Sequence, residues 1–277
     1  MCLILFSWRT APRCRLIVAA NRDEYFGRPA ATAEFWDDHP GVLGGRDLEA
    51  GGTWLGITLD GRFAALTNYR HPADKSPDAP TRGALVSDFL TGKSTPHDYL
   101  EKVAIHAQEY NGFSLLAGDA KSLYFLSNCG SGIQRVEPGV HGLSNHLLDT
   151  PWPKVEKGKA GLAALLGQPF DAETALHLLD DTQQASNELL PSTGVSLEME
   201  ERLSAIRIPA VHGYGTRSST ALCLCDDGKI EFHERSYRED GSPSGTVSYR
   251  LTLARGQARA SSPRAESRPP GTLLPAR

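Results

Sequence analysis

CLILFSWRTAPRCRLIVAAN, residues 2–21, reads as two strands joined at a short turn containing Pro12. In the first strand Cys2, Ile4, Phe6 and Trp8 fall on one face and Leu3, Leu5, Ser7 and Arg9 on the other, so both faces are largely apolar. A strand of that kind is covered on both sides, and Arg15–Ala20 supplies its neighbour. The hairpin runs out at Asn21-Arg22-Asp23-Glu24, and antiparallel pairing brings that tetrapeptide beside residue 2.

The stretch TWLGITLDGRFAALTNY, residues 53–69, predicts a second hairpin. A two-residue turn at Asp60-Gly61 sets Leu59 opposite Arg62, Ile57 opposite Ala64, Leu55 opposite Leu66 and Thr53 opposite Asn68, all on one apolar face. A third hairpin is expected over 113–128, and Asp227-Gly228 joins TALCLC to KIEFHE in a fourth. Helices are expected over 82–90, from Thr95-Pro96 to about Tyr110, after Thr150-Pro151 through 154–167, and over 171–181. The polar stretch 182–201 reads as a long loop. Grouped hairpins separated by paired helices give an α+β layered domain, antiparallel sheets with helices on their outer faces.

The chain has 277 residues, 40% of them hydrophobic, enough for a sizeable core. Its net charge of -4 hides an asymmetry: residues 255–277 carry five arginines and one acid, leaving about -8 on the remainder. The expectation is a single domain over 1–254 and a disordered basic tail over 255–277. An acidic body argues against nucleic acid as a partner. Five cysteines without framework spacing are expected to be reduced thiols in a cytoplasmic protein. CLILF lacks a basic flank and is too short for a signal peptide, and no apolar run is long enough for a transmembrane segment.

Chemistry points to Met1-Cys2. Removal of Met1 would leave a thiol and a free α-amino group on one residue, and an amine with a pKa of about 8 can serve as a base near neutrality. Arg22 and Asp23 are the expected neighbours, and a guanidinium beside a thiol lowers its pKa.

Cys2, NRDE at 21–24, GGTWLGIT at 51–58, TNYR at 67–70, GLSN at 142–145, TPWPK at 150–154 and YGTRSST at 214–220 together resemble the NRDE family, whose animal members are the transport and Golgi organisation 2 proteins. The resemblance covers about residues 1–252. It implies kinship with N-terminal nucleophile hydrolases and their four-layer αββα sandwich of two antiparallel sheets. By similarity to the cysteine members of that group, the penicillin V acylases and bile salt hydrolases, Cys2 resembles the nucleophile, and Arg22 with Asp23 (or Glu24 as the acid) its flanking pair. Asn68 and Asn145 resemble asparagines around the thiol or the oxyanion, and Arg217 the late arginine of the site. Two functions follow as expectations. One is hydrolysis of an amide or related acyl bond of a small-molecule substrate, with no cofactor required. The other is a carrier that holds haem, an acyl-lipid or acyl-CoA in the same cleft without turnover, in keeping with the family's links to haem trafficking and lipid homeostasis. A weaker third is a protein-interaction module using the basic tail.

Other motifs carry less. Cys223-x-Cys225 is read as core, because the two-residue turn puts His233 opposite Leu222, on the other face from both sulfurs, and pairs Cys223 with Phe232 and Cys225 with Ile230. The nine histidines show no metal-binding spacing, so no metal is expected. His146 and His212 are expected at the surface or behind the site. GGRDLEAGG lacks the lysine of a phosphate-binding loop and reads as glycine turns bounding a loop.

Overall fold

In the computed structural model, residues 2–70 and 76–253 are described; the expected tail at 255–277 lies outside them. Ten strands precede the last three helices: β1 (Cys2–Ala11), β2 (Cys14–Tyr25), β3 (Ala30–Phe35), β4 (Val42–Asp47), β5 (Leu55–Thr58), β6 (Phe63–Asn68), then α1 (Gly83–Thr91) and α2 (Pro96–His106), then β7 (Phe113–Gly118), β8 (Leu123–Ser127), β9 (Gln134–Arg135) and β10 (Gly139–Leu143). α3 (Pro153–Leu165), α4 (Ala172–Leu178) and α5 (Leu197–Leu203) follow, then β11 (Tyr214–Cys225), β12 (Lys229–Tyr237) and β13 (Pro243–Thr252).

Two antiparallel sheets result, one ordered β10-β1-β2-β11-β12-β13 and the other β3-β4-β5-β6-β7-β8-β9. Alternation decides their stacking. Ile4, Phe6 and Trp8 of β1 join Leu16 and Val18 of β2 and meet Leu55, Ile57, Phe63 and Phe125 of the other sheet in the central core. Leu3, Leu5, Ile17 and Ala19 point the other way, onto Val155 and Leu162 of α3 and Leu176 of α4. The far face of the second sheet, with Ala64, Leu66 and Leu115, packs on Val86 and Phe89 of α1 and Leu100 of α2. The order of layers is therefore αββα, and both faces of β1 are buried, as its composition requires. Each fully buried Phe or Leu contributes roughly 1.5–3 kcal/mol of hydrophobic stabilisation.

Both Asp-Gly hairpins form, but one residue out of the expected register. Ile57 pairs with Phe63 and Leu55 with Ala65; Leu224 pairs with Ile230 and Cys223 with Glu231. Each loop holds three residues, 59–61 and 226–228, with the glycine at its end in the left-handed region, Gly61 at φ 83 and Gly228 at φ 87. Gly61 N–H donates to Thr58 O and Gly228 N–H to Cys225 O, at 2.9 and 3.0 Å. The shift takes Asn68, together with Ala64 and Leu66, off the face of Leu55 and Ile57, and it puts His233 opposite Ala221, on the same face as Cys223. There His233 Nδ1 lies 2.8 Å from Ser248 Oγ.

Other corrections are local. α3 begins at Pro153 with Trp152 as its cap, two residues after Thr150-Pro151. The expected long loop contains α5, capped by Ser196, whose side chain accepts from Met199 N–H. Gly44 and Gly45 lie inside β4 rather than in a turn; a Cβ on Gly44 would come within 2.8 Å of Leu55 O. Gly52 packs against Gly83 even more closely, a Cβ there meeting Gly83 C at 2.4 Å, and this fixes the start of α1 against the second sheet.

Candidate active site

At one end of the sandwich the central core gives way to a polar cleft of about 600 Å³ lined by Cys2, Arg22, Glu24, Asn68, Arg82 and Arg217 among others. Strand alternation explains the change. Cys2 continues the Ile4–Phe6 face of β1 and Arg22 continues the Val18–Ala20 face of β2, and the two are directly paired. Asp23 continues the opposite face, toward the α3 layer.

Cys2 is clamped by its backbone. Its N–H donates to Asn145 Oδ1 at 3.3 Å, and its carbonyl accepts from Ser144 Oγ at 3.1 Å. Asn145, fully buried and left-handed at φ 55, also donates from Nδ2 to Asn68 O at 2.9 Å and from its backbone to Thr67 Oγ1 at 3.3 Å. Its carbonyl accepts from Arg70 N–H at 2.8 Å. The two partners fix the amide orientation, since a backbone N–H needs the oxygen and a carbonyl needs the NH₂ group. Asn145 thus holds the Cys2 nitrogen and does not line the cleft, whereas Asn68 does.

Burial pushes the Cys2 thiol up, and the Asp23 backbone N–H and the Arg22 charge oppose this. Arg82, the residue that caps α1, is missing from the expected set. It lies in the cleft wall, donates to Gly112 O at 3.0 Å and places its charge near Cys2 and Glu24.

Asp23 is buried and Glu24 is not. Thr216 Oγ1 donates to Asp23 Oδ1 at 2.6 Å and Tyr214 O–H to the Asp23 carbonyl at 3.3 Å. Burial raises the Asp23 pKa, and Lys154 and Arg70 pull against that. Glu24 instead accepts from Tyr25 N–H at 2.8 Å at the cleft's edge. Arg217 sits at the bulge between Thr216 and Ser218, with Nη1 donating to the carbonyls of Tyr25 and Arg28. It forms the rim, braced by backbone, rather than the immediate surround of the sulfur.

Lys154 is the second omission. Only 2% exposed, at the first turn of α3, it has no hydrogen-bond partner for Nζ among the described residues. A helix N-terminus disfavours a cation, and burial brings its pKa down to about 8 despite Asp23. Beside it Arg70 forms a buried ion pair with Glu200 at 2.7 Å and lies 4.6 Å over the Trp152 ring. Arg70 and Lys154 end the TNYR and TPWPK segments, and the charged residue that closes each of these motifs was the available signal. His146 lies behind the cleft, bonded to Tyr69 O–H at 2.7 Å and Thr150 Oγ1 at 2.8 Å, while His212 is exposed in a turn.

Residues 1–239 match the family described as Transport and Golgi organisation 2. The Transport and Golgi organization 2 homolog of Mus musculus is 37% identical over 275 residues, covering 91% of this chain and 99% of the mouse protein. The Homo sapiens homolog is 36% identical over 278 residues, with the same coverages. Among solved structures, the Caenorhabditis elegans N-acylethanolamine-hydrolyzing acid amidase ortholog aligns with a TM-score of 0.48 and 12% identity, over 79% of this chain and 92% of that one. No helix among the described residues is long and apolar enough to cross a membrane.

Proposed function

Given that this chain belongs to the Transport and Golgi organisation 2 family, we propose that it is a cysteine hydrolase of the N-terminal nucleophile type, acting on an amide or related acyl bond. The observation that carries the reading is the 3.3 Å contact between the Cys2 nitrogen and the buried Asn145 Oδ1, at the head of a cleft lined by Cys2 and Arg22. An acceptor in that place orients an α-amine with its lone pair left available for a proton.

Once Met1 is removed, the amine takes the Cys2 thiol proton as the sulfur attacks the acyl carbonyl and the S–C bond forms. The Asn68 side chain, on the cleft wall, donates to the oxyanion. The leaving group departs with the proton held by the amine, and water attacks the thioester, returning the thiol. Arg22 and Arg82 favour the thiolate, and Asp23, balanced by Lys154 and Arg70, fixes the charge beneath the amine.

Intact mass reports whether Met1 is absent, and a thiol-directed acyl probe should label Cys2 ahead of Cys14, Cys129, Cys223 and Cys225. Retention of Met1 in the mature protein would rule the mechanism out. A second reading, binding without turnover, draws on the arginines of the cleft, Arg22, Arg28, Arg46, Arg82 and Arg217, which suit the propionates of haem or the phosphates of an acyl-CoA. It predicts a Soret band on haem titration that Cys2→Ala removes, with no acyl adduct in the unaltered protein.

A further inference from the structure

The strand pairing that joins Cys2 to Arg22 at one end of β2 gathers three other cysteines at its opposite end. Cys14 opens β2 and is the Cα partner of Cys225, which closes β11, and Cys223 lies two residues earlier on the same face. Their Sγ atoms form a triangle: 3.1 Å from Cys14 to Cys223, 3.6 Å from Cys223 to Cys225 and 3.8 Å from Cys14 to Cys225. Cys223 is fully buried, Cys225 is half-buried, and Cys14 lines a separate cavity of about 280 Å³ with Arg9, Arg15 and Asp226. Arg22 lies eight positions along β2 from Cys14, so this cluster is about 26 Å from the Cys2 site.

The expected reading of Cys223 and Cys225 as core considered His233 as the missing ligand and left out Cys14, which is distant in sequence and adjacent in the sheet. Burial and the neighbouring sulfurs push Cys223 far up, and burial with Cys14 pushes Cys225 up to about 11. A cation placed among them reverses that balance, because its charge replaces the protons. A metal–sulfur bond of about 2.3 Å requires sulfur separations of about 3.8 Å in a tetrahedron and about 4.0 Å in a trigonal plane. The two edges at Cys225 are already near those values, and the third must open by roughly 1 Å or less.

We propose that Cys14, Cys223 and Cys225 form a three-sulfur binding site for one thiophilic d¹⁰ cation, copper(I) or zinc(II). Sulfur-only ligation with no oxygen or imidazole selects these ions over magnesium, calcium or manganese. Binding forms three metal–sulfur bonds and releases the S–H protons to solvent, with no change in the oxidation state of metal or sulfur. Copper(I) is satisfied by the three sulfurs alone; zinc(II) takes a fourth ligand from the side of the cavity that Cys14 lines.

The test uses the full chain with Cys2→Ala and Cys129→Ser, so that only the three cysteines remain. Reduced, metal-free protein is titrated anaerobically with copper(I) against a bathocuproine disulfonate competitor and, separately, with zinc(II) against a chromogenic chelator. One equivalent of either ion should be taken up with three sulfurs in the first shell by X-ray absorption, alone for copper(I) and with one oxygen or nitrogen beside them for zinc(II), and the arm that responds identifies the metal. Cys225→Ser, at the half-buried corner, should abolish uptake while leaving the circular dichroism unchanged. Failure of both ions to bind, uptake that survives Cys225→Ser, or a shell with fewer than three sulfurs would overturn the proposal. If Cys225→Ser does not fold, the absorption spectrum of the parent double variant still decides.

Discussion

Cys2 and Asn145 are 143 residues apart in sequence, and a buried 3.3 Å hydrogen bond from the Cys2 nitrogen to Asn145 Oδ1 connects them. Through Asn145 Nδ2 and Asn68 O the same side chain ties the start of β1 to the end of β6, so one amide couples the two sheets where the cleft opens. The geometry assigns this residue to the nitrogen of Cys2 rather than to an oxyanion.

Asn145→Ala should therefore slow acyl-probe labelling of Cys2 by about 100-fold, the scale of a misplaced reacting group. It should also destabilise the fold by about 1–2 kcal/mol, because Asn145 is left-handed at φ 55. Asn145→Gly relieves the backbone strain without restoring the amide. Labelling that recovers in the glycine variant would refute the side-chain role.

Arg22→Met should raise the Cys2 thiol pKa further, since Arg22 opposes the upward push of burial. Labelling at pH 7 should fall about 10-fold, one pKa unit's worth of thiolate, and the rise of labelling with pH should be displaced upward by about one unit relative to the unaltered protein. Labelling of Cys129 should not change, which separates a local charge effect from a change in fold.

Lys154 gives a pH signature. Its pKa in the folded chain is about 8, below the ordinary 10.5, so between those values the unfolded chain binds more protons and stability rises with pH. Cys2, shifted upward, contributes with the opposite sign. The difference in unfolding free energy between the unaltered protein and Lys154→Met isolates the lysine. It should climb by about 3 kcal/mol from pH 7.5 to 10.5 in urea titrations. A flat difference would mean Lys154 is charged and stabilised in the fold.

The Arg70–Glu200 pair is buried on both sides. Glu200→Ala should cost about 3–5 kcal/mol, because it strands a buried guanidinium and also removes the acceptor of Thr193 N–H. The double variant Arg70→Met, Glu200→Leu should recover much of that loss in chemical denaturation.

Alternation and the grouping of hairpins made an α+β layering of antiparallel sheets with outer helices legible in the sequence, while the αββα order followed from the family resemblance and not from the pattern. The apolar faces of β1 and its pairing with β2 are written in residues 2–21, and that pairing alone brings Cys2 to Arg22. What stayed hidden depends on long-range or cooperative detail. A single extra loop residue at each Asp-Gly turn shifts the register, and no local pattern distinguishes two-residue from three-residue loops when the last position is glycine in both. Arg82 and Lys154 reach the site because Gly52 packs on Gly83 and Trp152 on Arg70, contacts between segments far apart in the chain. α5 escaped notice because LEMEERL is short, charged and only partly buried.

The Asn145 clamp also sets an order of events during synthesis. A ribosome adding about 5–20 residues per second needs roughly 7–30 seconds to pass from residue 2 to residue 145. For that interval the nitrogen of Cys2 has no Asn145 to bind, and the amino-terminal edge of β1 stays open to a processing peptidase. Cys2 can be exposed first and sequestered afterwards, by the same residue that then binds its nitrogen.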